Sequence, residues 1–339
     1  MGETSTCDVA IIGAGPSGLF AVFECGMLGL SSHVFDALPE IGGQCTALYP
    51  EKPIYDIGGL PAISAGDLIA NLEAQAAPFN PVYHLGSQVT HLTEGPDGRF
   101  TIANERGDTV NAGAIILAAG AGAFGPNRPP IAALPDFENI SVFYACRNTA
   151  QFTGKKIVIA GGGDSALDWA IALADIAGKV TLVHRRDKFR GAPASVAALE
   201  RLVEEGKVEL AVPFQLSDIL GEDGQITHAR LTSMDDEIRD IEADALLCFY
   251  GLSHDLSFAH EWGLHLEKKE LPVTPATCET SRAGIYAVGD IAAYEGKLKL
   301  ILTGFAEGAI AAHAIYKRLH PDTPLHFEYS TTRGLPGAA

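Results

Sequence analysis

The sequence predicts an α/β fold of two three-layer domains, with the second domain inserted into the first. Three observations lead to this prediction. The chain has 339 residues, more than one hydrophobic core usually supports, so two domains are expected. One strand–turn–helix–strand pattern occurs twice along the chain. A late apolar strand and a long helical stretch follow the second copy, which indicates that the chain returns to the first domain.

The first copy of the pattern begins at Asp8 with the apolar stretch DVAII. The turn GAGPSG follows it, then the helical stretch LFAVFECGML, and then a second strand that ends at Asp36. The second copy begins at Lys156 with KIVIA, continues through GGGDSA and LDWAIALADIAG, and ends its second strand at His184. A shift of 148 positions (161 − 13) superimposes the two copies element for element. An internal repeat of this kind is stronger evidence than any single motif.

Each glycine turn has the context that binding of a dinucleotide pyrophosphate requires. The first glycine makes the tight turn, the second admits the pyrophosphate, and the third position lets helix and strand pack closely. The helix N-terminus then directs free N–H groups at the phosphates. Both domains are therefore predicted to be Rossmann-like dinucleotide-binding domains. The turn residues are Gly13, Gly15, Pro16, Ser17 and Gly18 in the first domain, and Gly161, Gly163, Asp164, Ser165 and Ala166 in the second.

The residues at the ends of the second strands distinguish the two nucleotides. Asp36 can accept hydrogen bonds from a ribose 2′-hydroxyl and would repel a 2′-phosphate. The second copy has a basic segment at this position, formed by His184, Arg185, Arg186 and Arg190. Cations suit a 2′-phosphate, so the second site is predicted to bind NADP(H) and the first an adenine dinucleotide without that phosphate. A solvated charged turn is the alternative interpretation, because Asp187 and Lys188 lie in the same segment.

Further apolar strands set the expected domain boundaries. GAIILAAG closes the first unit, ADALLCFYG closes the second, and GIYAVGD reaches Gly289 and Asp290 before a long helix. We expect the first domain to comprise residues 1–120 and 283–339, and the NADP(H) domain to comprise residues 121–282.

Composition excludes several classes of function. The formal net charge of −18 disfavours a nucleic-acid partner and a membrane-seeking basic surface. No apolar run approaches the roughly 20 residues of a membrane span, and no signal peptide is visible. The six cysteines show no C-x-x-C spacing, which is typical of reduced thiols. We expect a cytoplasmic protein with no metal site.

With these motifs, the chain resembles the flavin-dependent pyridine nucleotide reductases, and more narrowly the ferredoxin–NADP⁺ reductases of the thioredoxin-reductase-like type. The resemblance covers essentially the whole length. It rests on GAGPSG at 13–18, EIGGQCTALYPEKPIYDIGG at 40–59, ILAAG at 116–120, GGGDSALD at 161–168, HRRDKFR at 184–190, AVGD at 287–290 and FEYSTT at 327–332.

The resemblance implies that the first domain binds FAD and that the NADP(H) domain is inserted into it. It implies hydride transfer from NADPH to flavin N5 and single-electron transfer to a small protein carrier, ferredoxin or flavodoxin. The implied assembly is a homodimer. The implied FAD-binding residues are Gly13, Gly15, Pro16, Ser17, Gly18, Asp36, Gly43, Gln44, Tyr49, Val89, Gly120, Phe124, Asp290 and Thr331.

Particular roles near the flavin also follow from the resemblance. Tyr49 and Tyr329 are expected to stack on opposite faces of the isoalloxazine, and Asp290 to hold the ribityl chain. A helix that starts near Gly304 would direct its positive end at the pyrimidine ring. The hydroxyl groups expected near N5 belong to Ser330, Thr331 and Thr332.

The sequence departs from the disulfide-reducing relatives at both places where they have paired cysteines. Cys146 precedes the second glycine motif without a partner at C-x-x-C spacing, and Cys45 is followed by Tyr49 and Pro50 where a second thiol would be needed. A dithiol relay needs an attacking and a resolving sulfur. Disulfide reduction is therefore not expected, and Cys45 is interpreted as a buried neighbour of the flavin.

Two other functions remain open from the sequence. One is an NADPH diaphorase that reduces free flavins or quinones, and the other is a non-catalytic flavoprotein redox sensor. Because ferredoxins are usually acidic, the ferredoxin hypothesis requires a local basic patch on this acidic chain. The candidates for that patch are Arg147, Lys155, Lys156, Lys297, Lys299 and Arg333.

Overall fold

The structure is a computed structural model that describes residues 4–120, 122–256, 258–325 and 334–335. Within these ranges the chain forms two compact units, one of Met1–Phe124 with His254–Ala339 and one of Gly125–Ser253. The first unit thus ends at Phe124, against an expected boundary at residue 120, and resumes at His254, against an expected residue 283. The second difference arises because Trp262 and Leu271 pack in the core of the first unit beside Phe35 and Phe100.

The elements of the structure lie in chain order. The strands are β1 (Ser5–Ile12), β2 (Ser32–Asp36), β3 (Pro53–Ile54), β4 (Ile63–Ser64), β5 (Val82–Leu85), β6 (Val89–Glu94), β7 (Phe100–Asn104), β8 (Thr109–Leu117), β9 (Ala123–Pro126), β10 (Val142–Phe143), β11 (Lys156–Gly161), β12 (Lys179–Val183), β13 (Val208–Ala211), β14 (Phe214–Glu222), β15 (Gln225–Ser233), β16 (Ile238–Glu242), β17 (Ala245–Phe249), β18 (Leu252–Asp255), β19 (Leu271–Pro272), β20 (Ile285–Ala287) and β21 (Ala292–Ala293). The helices are α1 (Pro16–Met27), α2 (Gln44–Leu48), α3 (Ala65–Ala76), α4 (Asp164–Leu173), α5 (Pro193–Glu204), α6 (Phe258–Glu261) and α7 (Ile301–Leu319).

The main sheet of the first unit has the order β5-β2-β1-β8-β7-β6, and β20 pairs with the second half of β8. Its central strands are parallel, with Ile11 opposite Val34 on β2 and opposite Ile116 on β8. Val9 and Ile11 pack with α1 and α7 on one face, whereas Ala10 points to the other core. Both faces of a parallel sheet are buried in this way, which explains the continuous apolar runs of the sequence.

The second unit repeats this design. Its parallel sheet has the order β10-β17-β11-β12-β13, and β14-β15-β16 form a separate antiparallel sheet. Val158 and Leu246 of the parallel sheet pack against Leu216 and Leu231 of the antiparallel one. Helix α4 contacts β11 and β12 on the parallel sheet. Both units are therefore Rossmann-like layered α/β units, as the repeat predicted.

In the described part of the chain, no helix combines the length and the apolar character that a membrane crossing would need.

Candidate functional site

A cavity of about 400 Å³ lies in the first unit where β1, β2, β8 and β20 end. The carboxyl ends of parallel strands are where ligands bind in folds of this kind. Most of the residues expected to hold FAD line it, namely Gly13, Gly15, Pro16, Ser17, Asp36, Gly43, Gln44, Tyr49, Val89, Gly120 and Asp290.

The first glycine turn is packed too closely for side chains. A Cβ atom on Gly13, whose φ is +114°, would lie 2.2 Å from the carbonyl oxygen of Ala118. A Cβ atom on Gly18 would lie 1.9 Å from the carbonyl oxygen of Gly13. Gly18 therefore packs behind the turn. Helix α1 begins at the cavity, and its N-cap residue, Gly15, has no side chain that could occupy the free N–H groups. The open N–H groups of that first turn suit a pyrophosphate.

Asp36 holds the end of β2 beside this turn. Its Oδ2 accepts the N–H of Ala14 at 2.7 Å, and its Oδ1 accepts the N–H of Leu38 at 2.8 Å. Burial raises the pKa of this carboxyl group, against the two backbone hydrogen bonds that lower it. The carboxylate thus fixes the backbone around this part of the cavity, and Asp36 also lines the cavity itself.

Tyr49 and Asp290 also line the cavity. Tyr49 caps α2, and the Cys45 thiol lies 3.8 Å from its hydroxyl oxygen. Burial is the main reason that the pKa values of both groups are raised. Cys45 is buried and protonated in these surroundings, so it is a poor nucleophile. Asp290 is exposed on the turn after β20.

Helix α7 begins earlier than the sequence indicated. The expected start was near Gly304, whereas the helix begins at Ile301 with Leu300 as its N-cap. Leu300 is extended and makes no side-chain cap. Gly304 lies in the first turn, where its backbone packs on Ser17 and a Cβ atom would meet the Ser17 hydroxyl at 2.1 Å. Leu300 and Ile301 line the cavity, so the positive end of α7 faces it as expected.

The remaining expected residues cannot be placed against the cavity. Phe124 belongs to β9, and its side chain lies outside the part of the structure that is described. The flavin-stacking Tyr329 and the hydroxyl residues Ser330, Thr331 and Thr332 lie outside the described residues, as does Arg333.

The structure adds lining residues that the sequence did not reveal. Phe258 and Trp262 form an aromatic pair with ring centroids 4.7 Å apart, and both line the cavity together with Ser87 and Gln88. The pair was missed because its segment carries no nucleotide motif and was assigned to the other domain. The only signal available was an i, i+4 aromatic spacing on a short helix.

A second cavity, of about 540 Å³, lies in the second unit at the ends of β11 and β12. The expected residues that line it are Gly161, Gly163, His184, Arg185 and Arg190, and the additional ones include Arg128, Gln215 and Tyr250. Helix α4 begins there, and its N-cap residue, Gly163, has no side chain that could occupy the free N–H groups of the first turn. The helix N-terminus and the guanidinium groups give this cavity the character of an anion site.

His184 lies directly over the second glycine turn. A Cβ atom on Gly162 would lie 2.3 Å from its ring, and its Nε2 is buried without a hydrogen-bond partner in the described structure. Burial lowers the pKa of His184, and the nearby Arg190, Arg185 and Arg186 lower it further. The imidazole is therefore neutral near pH 7 unless an anion binds next to it.

Four residues expected at the NADP(H) site do not line this cavity. Asp164 accepts the N–H of Ala192 at 2.8 Å through its Oδ1, so its carboxylate connects α4 to the start of α5. Ala166 is buried behind the turn, Ser165 lies on the first turn of α4, and Arg186 is exposed.

Three of the six residues expected to form the basic patch make ion pairs. Lys297 was proposed as a surface cation, but its side chain is 6% exposed and pairs with Glu307. Lys299 pairs with Glu270 at 2.6 Å, and Lys156 pairs with Glu242. Lys297 is therefore removed from the patch, because a buried, paired ammonium cannot steer a partner.

Comparison with known proteins agrees with the geometry. The family model described as "Pyridine nucleotide-disulphide oxidoreductase" matches residues 7–308. A ferredoxin–NADP reductase of Gluconobacter oxydans is 56% identical over 99% of this chain and 98% of its own. A ferredoxin–NADP reductase of Acidiphilium cryptum is 56% identical over the full length of both chains.

Solved structures support the fold at lower identity. Thioredoxin reductase of T. acidophilum is 23% identical, with a TM-score of 0.76, over 92% of this chain and 98% of its own. Thioredoxin reductase of Lactococcus lactis is 24% identical, with a TM-score of 0.77, over 93% and 99% of the two chains.

Proposed function

This chain belongs to the pyridine nucleotide-disulphide oxidoreductase family, and from this membership we propose that it is an FAD-dependent ferredoxin–NADP reductase. The enzyme passes electrons between NADPH and a small one-electron carrier protein. The curated relatives that match it over nearly the whole chain have this name.

The single observation that supports this function best is the contrast between the two cavities. Each follows a glycine turn at the end of a parallel strand, yet Asp36 lies at the end of β2 in the first and Arg185 and Arg190 line the second. The acidic end suits a ribose with free hydroxyl groups, and the basic end suits a 2′-phosphate. A protein that bound one kind of nucleotide twice would not need this difference.

The residues of the first cavity fit FAD. The close packing at Gly13 and the open N-terminus of α1 can hold the pyrophosphate, with Asp36 at the adenosine ribose. In this proposal Asp290 holds the ribityl chain and Tyr49 stacks on the isoalloxazine, and both line the cavity. When bound, FAD would supply the redox chemistry: its N5 atom can accept a hydride, and the reduced flavin can release electrons one at a time. The protein supplies position, access and electrostatics.

The second cavity fits NADP(H). The N-terminus of α4 can bind the pyrophosphate, and Arg185 and Arg190 can make charge-assisted hydrogen bonds to the 2′-phosphate. Arg186 is close enough to lower the pKa of His184, so it adds to the positive potential at this site. The FAD domain is proposed to be the first unit, residues 1–124 with 254–339, and the NADP(H) domain the second unit, residues 125–253.

The thiols argue against the disulfide chemistry in the family's name. The six cysteines are buried, and burial is the main cause that raises the pKa to about 12 for Cys7, Cys25, Cys248 and Cys278. A relay needs a reactive thiolate next to a resolving thiol.

The carrier is proposed to be ferredoxin, with flavodoxin as the alternative carrier. The assembly is proposed to be a cytoplasmic homodimer.

Anaerobic titration and coupled turnover test this function together. The purified protein should show flavin absorbance that NADPH bleaches rapidly, and ferredoxin should then accelerate NADPH-dependent reduction of cytochrome c. Bleaching without acceleration by ferredoxin or flavodoxin would indicate a diaphorase that reduces free flavins or quinones. A flavin that NADPH leaves oxidised would contradict the enzyme and favour a redox sensor.

A further inference from the structure

Glu307, in the second turn of α7, is a carboxylate buried beside the first cavity. It is 2% exposed, although a charged group removed from water costs free energy unless it is fully paired. The catalytic proposal above gives it no role.

Three donors from the segment between β20 and α7 satisfy this carboxylate. Oε2 accepts the N–H of Gly289 at 2.7 Å, and Oε1 accepts the hydroxyl of Tyr294 at 2.7 Å. The ammonium of Lys297 also contacts Oε1, and both side chains of this pair are buried. Burial, followed by the hydrogen bond to Glu307, raises the pKa of Tyr294 and keeps its hydroxyl a donor.

Stability alone does not explain a pair of this kind. The free energy needed to remove two charges from water is about as large as the free energy gained from their attraction. Proteins with apolar residues in place of such a pair are often equally stable. The hydrogen bonds do, however, fix the segment that connects β20 to α7 in one position. Its residues include Asp290, Lys299 and Leu300, all of which line the first cavity.

The backbones at Gly289 and Gly304 pack so closely on Ser17 that neither position has room for a side chain. A Cβ atom on Gly289, whose φ is +75°, would lie 2.9 Å from the Ser17 hydroxyl, and one on Gly304 would lie 2.1 Å from it. The first turn of α1, the turn before Asp290 and the first turn of α7 therefore meet at Ser17. A small displacement of Gly289 would move Asp290 relative to α1.

We propose that Glu307 is a positioning residue for FAD, which acts through the Gly289 N–H to hold Asp290 at the ribityl chain. Lys297 balances its charge. The inference rests on the proposed function in two respects: the first cavity binds FAD, and Asp290 holds its ribityl chain.

Two double variants separate positioning from stability. Glu307→Leu/Lys297→Met removes both charges and the acceptor for Gly289, whereas Glu307→Gln/Lys297→Met removes both charges and keeps an amide oxygen at that place. FAD titration of the apoprotein, followed by fluorescence quenching and flavin circular dichroism, gives the dissociation constant of each. The leucine variant should bind FAD on the order of tenfold to a hundredfold more weakly than the glutamine variant. The leucine variant should melt at a lower temperature because the Gly289 N–H and the Tyr294 hydroxyl lose their acceptor, so both dissociation constants are measured well below the two melting temperatures.

Equal dissociation constants for the two double variants would overturn the inference. If the leucine variant does not fold, Glu307→Asp decides, because the shorter side chain keeps the charge but cannot reach both Gly289 and Lys297. It should also weaken FAD binding, and an unchanged dissociation constant would overturn the proposal. A wild-type apoprotein that binds no FAD would instead contradict the proposed function itself.

Discussion

The carboxylate of Asp36 accepts the backbone N–H of Ala14 at 2.7 Å, so the end of β2 is fastened to the glycine turn that follows β1. The same carboxylate accepts the N–H of Leu38 through its other oxygen at 2.8 Å. An aspartate at this position therefore fixes the backbone on both sides of the cavity wall before any nucleotide binds. If the adenosine ribose binds here as proposed, it meets oxygen atoms whose positions are already fixed.

Replacement of Asp36 and Asp290 should weaken retention of FAD. Asp36→Ala removes two backbone hydrogen bonds and the ribose acceptor, and Asp290→Ala removes the proposed ribityl contact. Each should raise the FAD dissociation constant on the order of tenfold or more. Flavin content after gel filtration and titration of the apoprotein measure this. Asp97→Ala, in an exposed turn of the same unit, is the control and should retain FAD as the wild type does.

Arg185→Ala/Arg190→Ala should reduce the preference for NADPH over NADH. Charge-assisted hydrogen bonds from two arginines could be worth 10²–10⁴-fold in selectivity, and their exposure favours about 10²-fold. The measurement is the ratio of kcat/KM for the two nucleotides. Arg201→Ala, which removes a cation on α5, should leave this ratio unchanged. An unchanged ratio in the double variant would refute the assignment of the 2′-phosphate site.

His184 should couple NADPH affinity to pH. Its pKa lies below the ordinary 6.5, chiefly through burial, so the unfolded chain binds more protons than the folded one near that pH. The stability of the apoprotein is consequently lost as pH falls through 6.5 toward the lower folded value. A bound phosphate raises the pKa again, so NADPH should bind more tightly as pH falls from about 8 to about 6.

The test compares the NADPH dissociation constants at these two pH values in the wild type and in His184→Asn. The phosphate itself titrates near pH 6, so only the difference between the two proteins reports on His184. The wild type should gain up to about tenfold relative to the variant. Identical pH dependence in both proteins would show that His184 does not sense the phosphate.

The cysteines should be unreactive in the folded protein. Burial raises the pKa of Cys45 as well as those of four other thiols, and the thiolate is the reactive form. Iodoacetamide should alkylate them slowly until the protein is unfolded, and NADPH-dependent disulfide reduction should be absent. Loss of a disulfide reductase activity in Cys45→Ser or Cys146→Ser would contradict this interpretation.

The cavity-lining residues that the sequence predicted belong to local motifs. Gly13 and Gly161 are recognisable because a tight turn between strand and helix needs glycine, and Asp36 and Arg185 because they lie at or just after the end of the second strand of each repeat. Sequence spacing could not reveal that Trp262 reaches the first cavity, since that contact depends on how residues 254–282 pack. The pair of Lys297 with Glu307 was hidden for the same reason, and a lysine on a polar segment was wrongly interpreted as exposed.

The last prediction concerns recognition of the electron carrier. The ammonium of Lys299 lies 2.6 Å from the Glu270 carboxylate, with the lysine side chain 53% exposed at the edge of the first cavity. If an acidic ferredoxin approaches this edge, the two members of the pair should act in opposite directions. Lys299→Gln should raise the KM for ferredoxin, whereas Glu270→Gln should release Lys299 and lower that KM.

Ferredoxin-dependent reduction of cytochrome c at low ionic strength measures the KM of both variants. Added salt should reduce the difference between them because exposed charges are screened within about 8–10 Å. Glu270→Gln should leave NADPH-driven ferricyanide reduction unchanged. If neither variant changes the KM for ferredoxin at low ionic strength, the carrier does not approach at Lys299.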